Sequence, residues 1–199
     1  MQLKYTGPRP IISHTGITFD QKKEDKFHYL AFAIELLQAV DHEYLKDATY
    51  TFEPGPNHHD GEEMLTVLRR FCPQAETEAK RRALQKRYKL DGEIQDAGQN
   101  PLLNREERDA LVNNLKLMYD YRLQRTVNKN LYYSAITALA SLIAKDGICY
   151  IKVPFRQEHY HVFHSLEGIL NTQKYPLNTR LEIYEEKGEL MVRLDVTSR

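Results

Sequence analysis

The hydrophobic period changes twice in ICYIKVPFRQEHYHVFHSLEGILNTQKYPLNTRLEIYEEKGELMVRLDV, the stretch from Ile148 to Val196. Its first residues, up to Val153, are rich in β-branched side chains and lie between a glycine and a proline, which predicts a buried strand. Helical spacing follows from His159 to Thr172, and two alternating stretches then flank a turn at Glu186 to Gly188. This order predicts a β-α-β-β unit in the C-terminal third of the chain.

Helical periodicity dominates the residues before this unit. Apolar positions recur on one helical face from Glu24 to Leu45 and again from Asp60 to Phe71. Asn104 and Glu107 have the spacing of a capping box at the start of a further helix. The pattern over 104–145 is compatible with one helix or with two. We therefore predict an α+β protein, helical over its N-terminal two-thirds and packed with a small antiparallel or mixed sheet.

The length and composition are typical of one domain. A chain of 199 residues with 41% hydrophobic side chains can bury its own core. The segment 74–101 differs from the rest because its apolar stripe is narrow and its last part, from Leu90 to Pro101, is rich in turn-forming residues. We predict a single α+β domain over 1–199, in which 74–101 forms a projecting helix and a flexible connection.

Further features of the sequence indicate the cellular compartment of the protein. No apolar run reaches the roughly 20 residues of a membrane span, and two prolines in MQLKYTGPRP replace the apolar region of a secretory signal. The cysteines, Cys72 and Cys149, lie far apart in sequence and form neither a disulfide framework nor a four-ligand zinc site on their own. We expect a cytoplasmic protein without a membrane partner.

Charge is balanced overall but sorted along the chain. The sequence has 28 acidic and 28 basic side chains, yet Ile17 to Met64 has eleven acids against four lysines, and Leu65 to Leu90 has eight bases against two acids. The basic run KRRALQKRYK, from Lys80 to Lys89, surrounds its helix axis and is typical of a solvated helix, with an acidic or nucleic-acid partner as the alternative.

The most directional basic pattern lies in YDYRLQRTVNKNLYY. On a continuous helix, five side chains of this segment share one side: Tyr121, Arg122, Arg125, Lys129 and Tyr132. Arginine and lysine near stackable tyrosines suit RNA, single-stranded DNA or a nucleotide. The same long side chains could instead cover a helix interface.

Histidine clusters indicate a different possibility, a site for a divalent metal. His161 and His164 in HYHVFH lie opposite the apolar face and are spaced to share a metal or a phosphate, although two ordinary surface histidines are the simpler interpretation. His58, His59 and Asp60 form a second cluster. Both clusters contain residue types that bind divalent metals.

The second cluster resembles part of an enzyme motif. His28, His59 with Asp60, and Asp120 have spacings loosely similar to those of HD-type metal phosphohydrolases, which implies a divalent metal and hydrolysis. The surrounding PGPNHHDGEE is a loop by its prolines and glycines, and Asp60 has a sufficient role there as a helix N-cap. We favour the structural role of this cluster over the catalytic one.

The sequence has no G-x-S-x-G, no H-E-x-x-H and no cysteine pair at ligand spacing. Our leading hypothesis is a non-enzymatic interaction or regulatory protein whose charge-sorted surfaces bind a protein partner, a second copy of the chain or nucleic acid. The alternative hypothesis is a metal-dependent hydrolase or metal-binding protein that uses a histidine and aspartate cluster.

Overall fold

The computed structural model describes residues 11–13, 16–18, 26–41, 50–55 and 60–199. In chain order, these ranges contain β1 (Ile11–Ser13), β2 (Gly16–Thr18), α1 (Phe27–Asp41), β3 (Tyr50–Thr51), α2 (Gly61–Phe71), α3 (Ala75–Gly98), α4 (Arg105–Asp146), β4 (Tyr150–Pro154), α5 (Gln157–Leu170), β5 (Leu177–Glu186) and β6 (Glu189–Ser198). Long helices precede a C-terminal β-α-β-β unit, which confirms the predicted α+β class.

Side-chain caps define where two helices begin. The Asp60 carboxylate accepts a hydrogen bond from the backbone N–H of Glu63 at 2.8 Å and caps α2, as predicted. At the start of α4, Asn104 and Glu107 form the predicted capping box through two reciprocal hydrogen bonds of 2.9 Å. Each cap provides a partner for backbone N–H groups that have none within the helix.

α4 is one uninterrupted helix of 42 residues, which makes it about 63 Å long. The stretch 104–145 is therefore a single helix and not two. It ends at Gly147, whose backbone is left-handed with φ 67° and whose N–H donates to the carbonyl of Ile143. Despite its length, neither α4 nor any other helix in the described ranges is apolar enough to cross a bilayer.

α3 continues further than the sequence indicates. Residues 90–98, predicted as part of a flexible connection, form the last turns of α3. Contacts with α4 explain the difference: a Cβ on Gly98 would lie 3.7 Å from Val112, and the Tyr119 hydroxyl donates to the Glu93 carboxylate. Tertiary packing thus stabilises a helix whose local signal is weak. Together α3 and α4 form an antiparallel helical hairpin.

α1 lies in the centre of the hydrophobic core. Every side chain from Tyr29 to Leu37 is buried, and all of them except Glu35 are hydrophobic, so nearly every side of this segment is apolar. α2, α4 and α5 all pack against it. A helix that is apolar on all sides is stable in water only when other elements cover each side.

Within the described ranges, the main sheet contains the strands β3, β4, β6 and β5 in that order. β3 is parallel to β4, whereas β4 and β5 are each antiparallel to β6, so the sheet is mixed. Lys187 and Gly188 both have positive φ and form the predicted tight turn between β5 and β6. α5 packs against β5 and β6, and the short strands β1 and β2 form a separate antiparallel pair.

His159 is a polar side chain inside this core. It is completely buried, and its ring centroid lies 4.1 Å from that of Phe32. Nδ1 lies 2.7 Å from the carbonyl oxygen of Pro154, to which it donates, while Nε2 has no hydrogen-bond partner in the described part of the chain. Burial lowers the pKa of His159 to about 4, so the ring is neutral in the native protein at neutral pH.

A pair of glycine substitutions tests the backbone geometry. Gly147→Ala is expected to destabilise the protein by about 1 kcal/mol, because a Cβ is unfavourable at its left-handed φ. Gly92→Ala, inside α3, is expected to stabilise it by about 0.5 to 1 kcal/mol, because alanine loses less conformational freedom in a helix. No neighbouring atom obstructs the new Cβ at either site. Urea denaturation measures the change in the free energy of unfolding for each variant. If both variants were more stable, or both less stable, than the native protein, the left-handed backbone at Gly147 or the helical backbone at Gly92 would be contradicted.

The buried histidine predicts a pH dependence of stability. The unfolded chain binds a proton near the ordinary pKa of 6.5 and the folded chain only near 4, so stability present above pH 6.5 is lost as the pH falls. When the pH falls from about 7 to about 5, the free energy of unfolding of the native protein should decrease by about 2 kcal/mol more than that of the His159→Leu variant.

The readout for His159→Leu is the change in unfolding free energy with pH, because the substitution also removes the hydrogen bond to Pro154. The same substitution at the exposed His164 is the matched control and should retain the native loss. Identical pH profiles for the native protein and His159→Leu would show that His159 is not the group responsible.

Candidate anion-binding site

A pocket of about 500 Å³ opens where α3 and α4 meet the residue before α1. Its described lining consists of Lys26, Lys86, Arg122, Arg125, Thr126, Lys129 and Tyr133. Five of these side chains are cations, and no carboxylate belongs to the described lining. We name this site the basic pocket. Its composition is suited to a negatively charged ligand.

α4 forms one wall of the basic pocket. Arg122, Arg125 and Lys129 recur at intervals of three and four residues and project from one side of the helix, so the structure brings together the three predicted cations. The Arg125 guanidinium lies 5.6 Å from the ring centroid of Tyr121, and Lys129 Nζ lies 5.9 Å from that of Tyr133. These cations therefore have aromatic neighbours within cation–π distance.

Two further cations reach the basic pocket from other parts of the chain. Lys86 belongs to the basic run from Lys80 to Lys89 noted in the sequence, but its convergence with the cations of α4 was not predicted, and Lys26 was not singled out. The antiparallel hairpin sets Lys86 of α3 opposite Thr126, with 3.3 Å between Nζ and Oγ1. Lys26 lies just before α1, where its Nζ is 4.4 Å from the ring centroid of Tyr29. Sequence spacing does not indicate that either side chain joins the cations of α4, because this depends on how separate segments of the chain pack.

The other cations of α3 mostly have carboxylate partners on the same helix. Ion pairs join Lys80 to Glu76, Arg81 and Arg82 to Glu78, and Arg87 to Asp91. Hydrogen bonds from Arg81 and then Arg82 lower the pKa of Glu78 to about 2, so this carboxylate is ionised at neutral pH. The basic run of α3 is thus largely compensated along its exposed surface, as expected for a solvated helix. In the basic pocket, by contrast, no carboxylate belongs to the described lining.

Tyr132 does not lie on the basic surface where the sequence places it. Its side chain is only 1% exposed, and its hydroxyl donates to Ser165 Oγ at 2.7 Å. The physical reason is that α4 changes neighbours along its length, and α1 and α5 cover this part of it. A side chain at nearly the same helical phase as Arg125 is therefore buried. Tyr121, in contrast, is 54% exposed and lies beside the predicted cations.

The predicted histidine pair is split between two environments. His164 is exposed, and its Nδ1 lies 3.5 Å from Glu167 Oε2. His161 is half-buried, with its ring centroid 5.0 Å from that of Tyr29. Burial, and then the charge of Lys26, lower the pKa of His161 to about 4. The helical phase predicted that both histidines face outward. It could not predict that α1 packs beside His161 and partly buries it.

The metal hypothesis receives no geometric support from the described residues. Asp60 is the N-cap of α2, and His58 and His59 lie outside the described ranges. Among residues that the structure describes, no three His, Cys, Asp or Glu side chains are grouped so that they could hold a metal ion. A divalent metal at His58, His59, His161 or His164 stays a prediction.

A larger depression of about 880 Å³ adjoins the basic pocket between the connection from α2 to α3 and the second half of α4. Its walls are mainly apolar and include Phe71, Pro73, Ala138 and Leu142. Tyr133 lines both depressions, so they lie next to each other. We name the larger one the apolar groove.

Chemically, the basic pocket can hold phosphate groups. Arg and Lys donate charge-assisted hydrogen bonds to phosphate oxygens, and tyrosine rings provide surfaces on which bases stack. Comparison with known proteins gives no further guidance: the chain matches no family model, no curated protein and no solved structure. The chemistry of this site is therefore derived from its geometry.

Proposed function

We propose that the protein binds single-stranded nucleic acid and that the basic pocket holds its phosphate groups. The observation that carries the proposal is the convergence of five cationic side chains on one pocket with no carboxylate in its described lining. Phosphate contacts of this kind supply most of the sequence-independent affinity for nucleic acids. Because the whole chain has no net charge, the attraction is local to the pocket.

Exposed tyrosines favour a single strand over a duplex. Tyr121 is 54% exposed and Tyr133 is 46% exposed, and each lies within cation–π distance of a pocket cation. A duplex keeps the faces of its bases stacked on each other, whereas a single strand offers them to aromatic side chains. An acidic peptide would satisfy the cations but would leave these rings without a matching group.

Binding without catalysis is consistent with the remaining lining. The only described pocket residues that are not cations are Thr126 and Tyr133. The Thr126 hydroxyl already donates to the carbonyl of Arg122 at 2.9 Å. This lining has no carboxylate or histidine next to the hydroxyl to activate it as a nucleophile. We therefore assign the protein to the interaction or regulatory class.

A matched pair of double variants tests the proposal. Arg125→Ala with Lys129→Ala removes two pocket cations, and Arg105→Ala with Lys116→Ala removes the same charge from the exposed first half of α4. The pocket variant should bind a short single-stranded RNA about a hundredfold more weakly, because each lost charged hydrogen bond costs roughly 1.5 kcal/mol. The control should change affinity by less than about threefold.

Fluorescence anisotropy measures these dissociation constants over a series of salt concentrations. The affinity of the native protein should fall steeply as the salt concentration rises. In the pocket variant, the slope of log affinity against log salt concentration should be smaller by the contribution of about two phosphate contacts. Circular dichroism verifies that all variants are folded. Equal weakening in both double variants, or native affinity that does not respond to salt, would refute the proposed role of the pocket.

A further inference from the structure

We infer that β5 is the interface through which two copies of the chain pair, strand against strand, into a symmetric dimer. β5 lies at one edge of the main sheet, and no described strand pairs with its outer side. An open edge presents backbone groups that can continue a sheet into a second chain. β5 contributes no residue to the described lining of the basic pocket, so this inference does not depend on the proposed function.

The outward backbone groups of β5 belong to its odd-numbered residues. N–H groups alternate between the two sides of a strand, and that of Thr179 donates away from β6, to Oδ1 of Asn171 at 3.1 Å. By the same alternation, the N–H groups of Leu181 and Ile183 point outward. Neither group donates to any described residue. Asn171 thus covers the start of β5, and the later part of the strand can accept a partner.

A two-fold axis at Leu181 matches these backbone groups in an antiparallel pair. Leu181 then lies opposite its own copy, and Thr179 lies opposite Ile183 of the second copy. The outward N–H groups of Leu181 and Ile183 meet the outward carbonyls of Leu181 and Thr179, respectively. The side chains of Leu181 and Ile183 face the same side of the sheet as their buried neighbours on β6, yet both are only half-buried. A second strand would bury them further, which favours pairing.

The charges of β5 select this register. On the opposite face of the sheet, it sets Arg180 beside Glu182 of the second copy at both symmetry-related positions. These are the closely spaced pairs without hydrogen bonds between their backbones, where opposite charges attract. An axis one residue earlier would oppose the two copies of Arg180, and an axis one residue later would oppose the two copies of Glu182. Arg180 and Glu182 also pair within one chain, so the dimer would contain a cluster of alternating charge.

A charge exchange tests the interface, with sedimentation velocity over a series of protein concentrations as the measurement. The native chain should dimerise. Arg180→Glu alone and Glu182→Arg alone each oppose like charges across the axis and should weaken the dimer about tenfold or more. The two variants mixed in equal amounts should pair within about threefold of the native affinity, because every charge then meets its opposite. Arg105→Glu, whose side chain is 91% exposed on α4, is the matched control and should dimerise like the native chain.

Amide hydrogen exchange identifies the surface that is used. The amides of Leu181 and Ile183 should exchange more slowly as the protein concentration rises and the dimer forms. A native chain that stays monomeric at every concentration would overturn the inference and leave this edge to an extended segment of a different protein. A dimer that neither single variant weakens, or that leaves these two amides unprotected, would use another surface and would also overturn it.

Discussion

The burial of α1 is the constraint on which the rest of the structure depends. Apart from Glu35, its segment from Tyr29 to Leu37 is hydrophobic on all sides, and α2, α4 and α5 pack against it. The sheet in turn covers α5, which completes the core. α4 is much longer than α1, so only part of it can pack against α1. The first half of α4 packs against α3 instead. The basic pocket opens at the junction between these two roles of α4.

In this arrangement the basic pocket lies beside the hydrophobic core. The second half of α4 buries residues such as Ile136 and Leu139, while cations occupy one side of the same helix a few turns earlier. Hydrophobic packing fixes the direction of the helix axis, and the axis fixes where Arg125 and Lys129 project. Lysines from α3 and from the start of α1 then converge with them. The position of the charges thus follows from the packing of apolar residues elsewhere.

Much of the fold could be predicted from local signals. The capping box at Asn104, the cap at Asp60 and the turn at Gly188 are encoded by neighbouring residues, and each was predictable for that reason. The site was predictable only in part. The cations of α4 share one helix, so their spacing revealed them, but Lys86 and Tyr132 depend on contacts between helices. Periodicity along the sequence does not specify which side of a helix another helix will cover. The prediction that Tyr132 is exposed was therefore wrong, and the basic run that contains Lys86 could not be placed beside the cations of α4.

The continuity of α4 means that an anion bound in the basic pocket would contribute to the stability of the whole protein. A site built on a mobile loop can empty without effect on the rest of a molecule, but this helix runs without a break from the basic pocket into the interior. Any anion that binds the native state alone adds to the free energy of unfolding of the entire cooperative unit. Under the proposed function, an occupied pocket would therefore also protect the chain against proteolysis that requires unfolding.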